Sequence, residues 1–177
     1  TDFPPLNMIL QECMEQSGMA KLYSHQHSAI SAVLAGRDVL VATPTASGKS
    51  MVYNLPVLND LLQDTPGHSL YIFPLKALAQ DQHNVLEKLF HKLPVELQQK
   101  HQQVSALFDG DTSSYRRRKI RETPPPVLFT NPEMIHLSML PYHDSWAEFF
   151  SKLRYVVIDE VHSYRGVLGS HMAWVLR

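Results

Sequence analysis

A chain of 177 residues with a formal net charge of -1, 44% hydrophobic and 19% charged, carries enough apolar material for a sizeable core. That charge balance excludes binding of nucleic acid or membrane by bulk electrostatics, so any such contact must rest on local patches. The single cysteine, Cys13, excludes an internal disulfide and a cysteine-built metal site and fits a reducing, intracellular compartment, cytoplasmic or nuclear; no apolar run nears the ~20 residues of a membrane span, and no secretory signal opens the chain.

In chain order, apolar periodicity predicts helices over 6–16 and 24–35, with 1–22 as an N-terminal helical extension. Gly36-Arg37-Asp38 then breaks into a predicted strand, "VLVAT" at 39–43. A helix over 48–63 follows, which Pro56 should kink or deprive of one bond. A strand over 69–73 leads to the clearest amphipathic helix, 75–93. Next come a strand over 104–108, a basic helix over 112–122, and a stop at Pro124-Pro125-Pro126. The last predicted elements are a strand over 127–130, helices over 131–140 and 144–153, the latter N-capped by Asp144, and a strand over 155–159. Most of the strand runs are continuously apolar, which is the pattern of strands covered on both faces of a parallel sheet. The expectation is α/β: a mostly parallel central sheet with helices on both faces. No boundary between two domains is visible.

Ligands of such sheets sit beyond the carboxyl ends of the strands. The polar residues of this sequence gather there: "PTASGKS" after 39–43, "PLK" after 69–73, "DGDTS" after 104–108, "NPE" after 127–130 and "EVH" after 155–159. The first is a near match to G-x-x-x-x-G-K-[ST], with Thr43 in place of the first glycine. Such a loop offers backbone N–H groups, an ammonium and a hydroxyl to phosphate at a helix N-terminus. Thr45, Ala46, Ser47 and Gly48 would cradle phosphates, Lys49 would bridge the β- and γ-phosphates of ATP, and Ser50 would hold Mg²⁺. Gly48 keeps the close approach, and Ala46 and Ser47 are small enough to leave the loop narrow.

"YVVIDEVH" places two carboxylates at the end of an apolar strand. Buried charge of that kind needs a cation. Asp159 suits Mg²⁺, through water, and Glu160 suits orientation and deprotonation of an attacking water.

With these two motifs the sequence resembles superfamily 2 nucleic-acid helicases. "YSHQ", "FPLKALAQDQ", "DGDTS", "TNPEMIH" and "DEVHSYRGVLGSH" match further motifs of that superfamily in order, from about Tyr23 to Arg177. The last resembles the YprA/MrfA-like and Hrq-type DEVH DNA helicases, relatives of the RecQ group. The resemblance implies a RecA-like P-loop domain over 1–177, the first of two, in an ATP-dependent 3′-to-5′ helicase with DNA repair as its process. It implies that Gln26 contacts adenine and that His162 couples the ATP side to the nucleic-acid side. Pro74, Lys76, Gly110, Asp111, Thr130 and Asn131 would lie along a single strand, DNA by the resemblance, contacting its backbone rather than its bases. An RNA helicase, or a binding module without turnover, is the alternative. The family motifs beyond the second are not in this sequence, nor is a second RecA-like domain. Together with a first residue other than Met and an apolar end, this reads as a piece of a longer chain with little activity alone. In many helicases of the superfamily a glycine stands where this chain has Ala46.

"YRRRKIR" at 115–121 fits either phosphate tracking or a solvated helix face. Met134, Met139 and Met172 lie in apolar stretches and are expected in the core, and the ten histidines show no metal-ligand spacing.

Overall fold

In the computed structural model, residues 1–43, 47–101 and 103–177 are described. Where the sequence shows no boundary, the described chain divides into two compact units: 1–66 with 88–102, and 67–87 with 103–177. Two of the crossings, 87/88 and 102/103, carry no linker composition; the former falls inside a helix, so no shift in residue type marks it.

The first unit is helical. α1 (Met8–Gln16) is N-capped by Asn7, whose side-chain oxygen accepts from the Ile9 N–H. The Asn7 N–H in turn donates to Asn59 Oδ1 at 2.6 Å, tying α1 to α3. α2 (Ser24–Leu34) and α3 (Ser50–Leu61) pack on one another, with Ile30, Val52, Leu55 and Leu58 buried. Pro56 sits inside α3, which continues through it. The ring has no N–H to offer the carbonyl one turn back, and the cost is one backbone bond rather than an ended helix. α5 (Val95–Lys100) is a short helix that the sequence pattern did not single out.

The second unit holds the sheet. β1 (His68–Ile72), β2 (Ser105–Leu107), β3 (Val127–Thr130) and β4 (Leu153–Ile158) are all parallel, in the order β2-β3-β1-β4. β1 is the inner strand that pairs with both β3 and β4, with Ser69 opposite Val127 and Tyr155. Strand residues alternate between faces. Leu70, Ile72, Ala106, Phe108 and Leu128 form one core with Ile120, Met134, Met139, Trp146, Phe149 and Met172. Full burial of side chains of that size contributes about 1.5–3 kcal/mol each. The three methionines are therefore core, as the sequence predicts. On the other face Tyr71, Phe73 and Phe129 meet ring to ring, and His83 of α4 (Lys76–Phe90) packs edge-on to Phe129. The fold is thus α/β, with a parallel sheet flanked by helices.

Several expectations are revised. Residues 39–43 form no strand, and Leu40 is 81% exposed. A β-branched run reports fitness for a pleated surface, but a strand exists only through a ladder partner, and among the described residues this run has none. β4 is less buried than an apolar run implies, with Val156 exposed, because among the described residues it ends the sheet. The helix expected over 131–140 is a single turn, α7 (Pro132–Met134), followed by a π segment, Ile135–Met139, in which the Leu140 N–H reaches back five residues to Ile135. Asp144 caps nothing: it lies inside a 3₁₀ stretch, Leu140–Trp146, and α8 (Ala147–Ser151) starts after Trp146. α6 (Ser114–Glu122) is capped by Ser113, and α9 (Gly166–Val175) is a helix that the sequence pattern did not reveal.

Candidate functional site

The phosphate-loop side belongs to the first unit. Gly48 has φ +72°, which L-residues rarely adopt, and precedes Lys49 at the start of α3. Among the described residues no side chain caps α3, and a helix N-terminus of this kind suits an anionic ligand. Lys49 Nζ donates to the Thr43 carbonyl at 2.8 Å, and the Thr43 and Ser47 hydroxyls lie 2.6 Å apart. Gln26 is almost fully buried. Its Oε1 accepts from the Tyr23 N–H at 2.9 Å, and its Nε2 donates to the Gly48 carbonyl at 2.9 Å. A β-carbon on residue 48 would stand 2.5 Å from that Nε2. His25 Nε2 lies 3.1 Å from the Ser47 carbonyl; because a carbonyl only accepts, that nitrogen carries the proton. The Tyr23 ring stacks on His25 at 5.7 Å. His25 is not legible as a loop contact from sequence, since only the fold brings it to Ser47. Thr45 and Ala46 lie outside the described residues.

The second unit brings four strand ends to one edge, because its strands are parallel. The ladder runs past them: the Phe73 N–H donates to Thr130, Phe108 to Phe129, and Asp159 to Ile72. Beyond β4, Glu160 has φ +52°, and it is the one non-glycine residue with positive φ among the described residues. Backbone strain of this sort costs about 1–3 kcal/mol and clusters at working sites. The Glu160 N–H donates to Asp159 Oδ1 at 2.8 Å, and Glu160 Oε2 lies 3.2 Å from His162 Nδ1. Glu160 and His162, expected in different roles, therefore touch. Burial, then the nearby Asp159 charge, push the Tyr164 phenol up to about 12, and its hydroxyl has no hydrogen-bond partner among the described residues. Gly169 permits α9 to approach this turn; a β-carbon there would meet the Tyr164 carbonyl at 2.5 Å.

Beyond β1 and β2, Lys76 Nζ pairs with Asp111 Oδ2 at 2.7 Å. The Asp109–Thr112 loop is bonded within itself: Asp109 Oδ1 accepts from the N–H groups of Asp111 and Thr112 and from the Thr112 hydroxyl. Arg117 closes it from α6, donating through one terminal nitrogen to the carbonyls of Asp109 and Gly110 at 3.0 Å each. Arg118 pairs with Glu122 at 2.7 Å. The basic stretch is thus sorted in part: Arg117 holds a loop, Arg118 follows the helix face, and Arg116 and Lys119 point to solvent. Beyond β3, the Thr130 hydroxyl is buried and donates to the Phe108 carbonyl, while Asn131 Oδ1 caps α7 through the Met134 N–H. Pro74 leads from β1 into α4. Among the described residues no group of three or more His, Cys, Asp or Glu is placed to hold a metal. A Mg²⁺ held by one or two carboxylates, water and substrate phosphate needs no such group.

A parallel sheet flanked by helices, in a chain that also carries a Gly-Lys-Ser helix start, is the fold of RecA-like helicase domains. The chain belongs to the DEAD/DEAH box helicase family, whose model matches residues 23–177. It is 43% identical over 168 residues to the ATP-dependent helicase YprA of Bacillus subtilis, covering 95% of this chain and 22% of that protein. It is 45% identical over 155 residues to the ATP-dependent helicase HRQ1 of Saccharomyces cerevisiae, covering 88% of this chain and 14% of that one. A crystal structure of the DUF1998 helicase MrfA bound to DNA and AMPPNP superposes with a TM-score of 0.89 at 41% identity, over 99% of this chain and 24% of that one. The chain therefore spans less than a quarter of the length of these relatives. No described helix is long and apolar enough to cross a membrane.

Proposed function

We propose that residues 1–177 are the first RecA-like domain, with 1–22 as its helical extension, of an ATP-dependent helicase that steps 3′-to-5′ along single-stranded DNA. Its process is DNA repair, in the cytoplasm or nucleus. The observation that carries the reading is Glu160, held in a left-handed conformation one residue beyond Asp159 at the end of β4, with its carboxylate against His162. A residue kept strained at a strand end answers to chemistry rather than to packing. The names of YprA and HRQ1 support ATP-driven work, and the DNA and AMPPNP in the MrfA structure support both ligands.

ATP with Mg²⁺ supplies a phosphoanhydride whose cleavage can drive motion. Lys49 would exchange the Thr43 carbonyl for phosphate oxygens, and Ser47 and Gly48 would line the phosphates; Thr45 and Ala46, assigned to the same cradle by sequence, lie outside the described residues. Ser50 would offer its hydroxyl to Mg²⁺, and Asp159 its carboxylate through water; the ion would supply charge neutralisation of the phosphates. Glu160 takes the proton of the attacking water, and His162, touching Glu160, couples that step to the strand. Gln26 reads adenine with the donor and acceptor positions left over after Tyr23 and Gly48, since an amide has two of each. Pro74, Lys76, Gly110 and Asn131 would line the strand backbone, with the buried Thr130 shaping that path from within the fold and the exposed Asp111 at its edge. A second RecA-like domain outside these residues completes the motor.

The test is oligonucleotide-stimulated ATP hydrolysis by the protein. Glu160→Gln should lower turnover at least about a hundredfold while ATP binding persists. Turnover unchanged by that substitution would remove Glu160 from the reaction.

A further inference from the structure

Lys76 is the one ammonium in the proposed strand path, and it is turned toward a carboxylate. Its Nζ lies 2.7 Å from Asp111 Oδ2. That hydrogen bond first, then the charges of Asp111, Asp109 and Glu133, raise its pKa. The two partners are anchored differently. Asp111 rides on a loop fixed by the Asp109 carboxylate and by the double contact of Arg117. Lys76 extends from the first residue of α4 on a flexible four-carbon stem. The side chains are 50% and 80% exposed, so the pair adds little to folding and exchanges readily. A carboxylate held rigidly against a mobile ammonium, along an edge that should receive phosphate, has the form of an internal substitute for that phosphate.

We propose that Asp111 is a latch: its carboxylate occupies Lys76 when no strand is bound, and a backbone phosphate must displace it to enter. The proposal rests on reading this edge as the strand path. It makes Asp111 a positioning residue that lowers affinity by competing for Lys76, not a contact to the strand.

The test is a double-mutant cycle on the protein, with binding of a fluorescein-labelled oligothymidylate read by anisotropy across a series of salt concentrations. Asp111→Asn should tighten binding by about threefold at low salt, where one exposed pair matters most. Lys76→Met, which keeps the stem, should weaken binding and reduce the magnitude of the salt slope by about one. In the Lys76→Met background Asp111→Asn should change almost nothing. Equal tightening in both backgrounds would mean plain repulsion of the strand by Asp111 and would overturn the latch, as would no tightening in either. If the protein binds no oligothymidylate, or Lys76→Met leaves affinity and salt slope untouched, the strand path itself is wrong and the latch falls with it. The two failures are therefore told apart by the Lys76 variant alone. Unchanged thermal melting of both variants ties the readout to binding rather than folding.

Discussion

The buried amide of Gln26 donates to the Gly48 carbonyl at 2.9 Å while accepting from the Tyr23 N–H. One side chain thus fixes both the first turn of α2 and the glycine of the phosphate loop. Gln26→Ala leaves two part-buried backbone groups without these partners, at a cost of about 1 kcal/mol. It should also lower ATP affinity by more than about tenfold, because the loop loses its support along with the proposed adenine contact. Titration with a fluorescent ATP analogue and thermal melting read the two effects; full affinity in the variant would show that the loop holds its shape without Gln26.

Gly48→Ala meets two obstacles, the positive φ and the Gln26 Nε2 at 2.5 Å. The expected loss is about 1–3 kcal/mol of stability, accompanied by weaker ATP binding. Combining it with Gln26→Ala should relieve the steric part. A double variant less stable than the sum of the two single losses would argue against the clash.

Glu160 predicts a trade of stability against turnover. Glu160→Gly removes the side chain at φ +52°, which should stabilise the protein by about 1 kcal/mol and abolish hydrolysis. Glu160→Gln should abolish hydrolysis without that gain. Denaturant titration separates the two variants, and equal stabilities would indicate that the left-handed backbone carries no strain.

Arg117→Lys should loosen the Asp109–Thr112 loop. One guanidinium nitrogen reaches two carbonyls, and a lysine ammonium, which lacks the guanidinium's extra length and planar fork, cannot reproduce that reach. Hydrogen exchange at the Asp111 and Thr112 amides should rise by about tenfold or more. Protection equal to that of the parent protein would show that Asp109 suffices.

Tyr164 gives a pH prediction. Its phenol is raised from 10 to about 12 by burial and by Asp159. The folded chain therefore keeps this proton more tightly, and the unfolded chain loses it first. The contribution is complete below pH 10 and is lost as pH rises from there toward 12. Because the ring is only half-buried, the effect should be limited to about 1 kcal/mol. Tyr164→Phe should flatten the alkaline fall in melting temperature and cost little at neutral pH, since the hydroxyl has no partner among the described residues. Parallel alkaline curves for the two proteins would sink this assignment.

Much of the fold is legible in the sequence, for identifiable reasons. β3, and β1 from Leu70 on, are apolar runs covered on both sheet faces, and each run stops at residues with chemistry. What is not legible depends on contacts distant in sequence. Leu40 sits in a run as β-branched as β4, yet only β4 finds a ladder. Periodicity over 131–140 marks a buried face but cannot distinguish an α turn from the π segment at Ile135–Met139. The candidate site divides in the same way. Lys49, Asp159 and Glu160 are visible as residue types at a spacing. The strain at Glu160, the reach of Arg117 and the approach of His25 to Ser47 are made by the fold. Asp144 looks like an N-cap by local pattern and is not one, because Trp146 and Phe149 enter the core and fix where α8 starts.

The position of β1 has a consequence for synthesis. Its neighbours in the sheet are encoded well downstream: Ser69 pairs with Val127, 58 residues later (127 minus 69), and with Tyr155, 86 later (155 minus 69). At roughly 5–20 residues per second, β1 waits about 3–12 s for the first of them to be made. Leu70, Tyr71 and Ile72, which end up almost wholly buried, spend that interval with both strand edges bare. For the nascent chain, shielding this segment therefore comes before folding it.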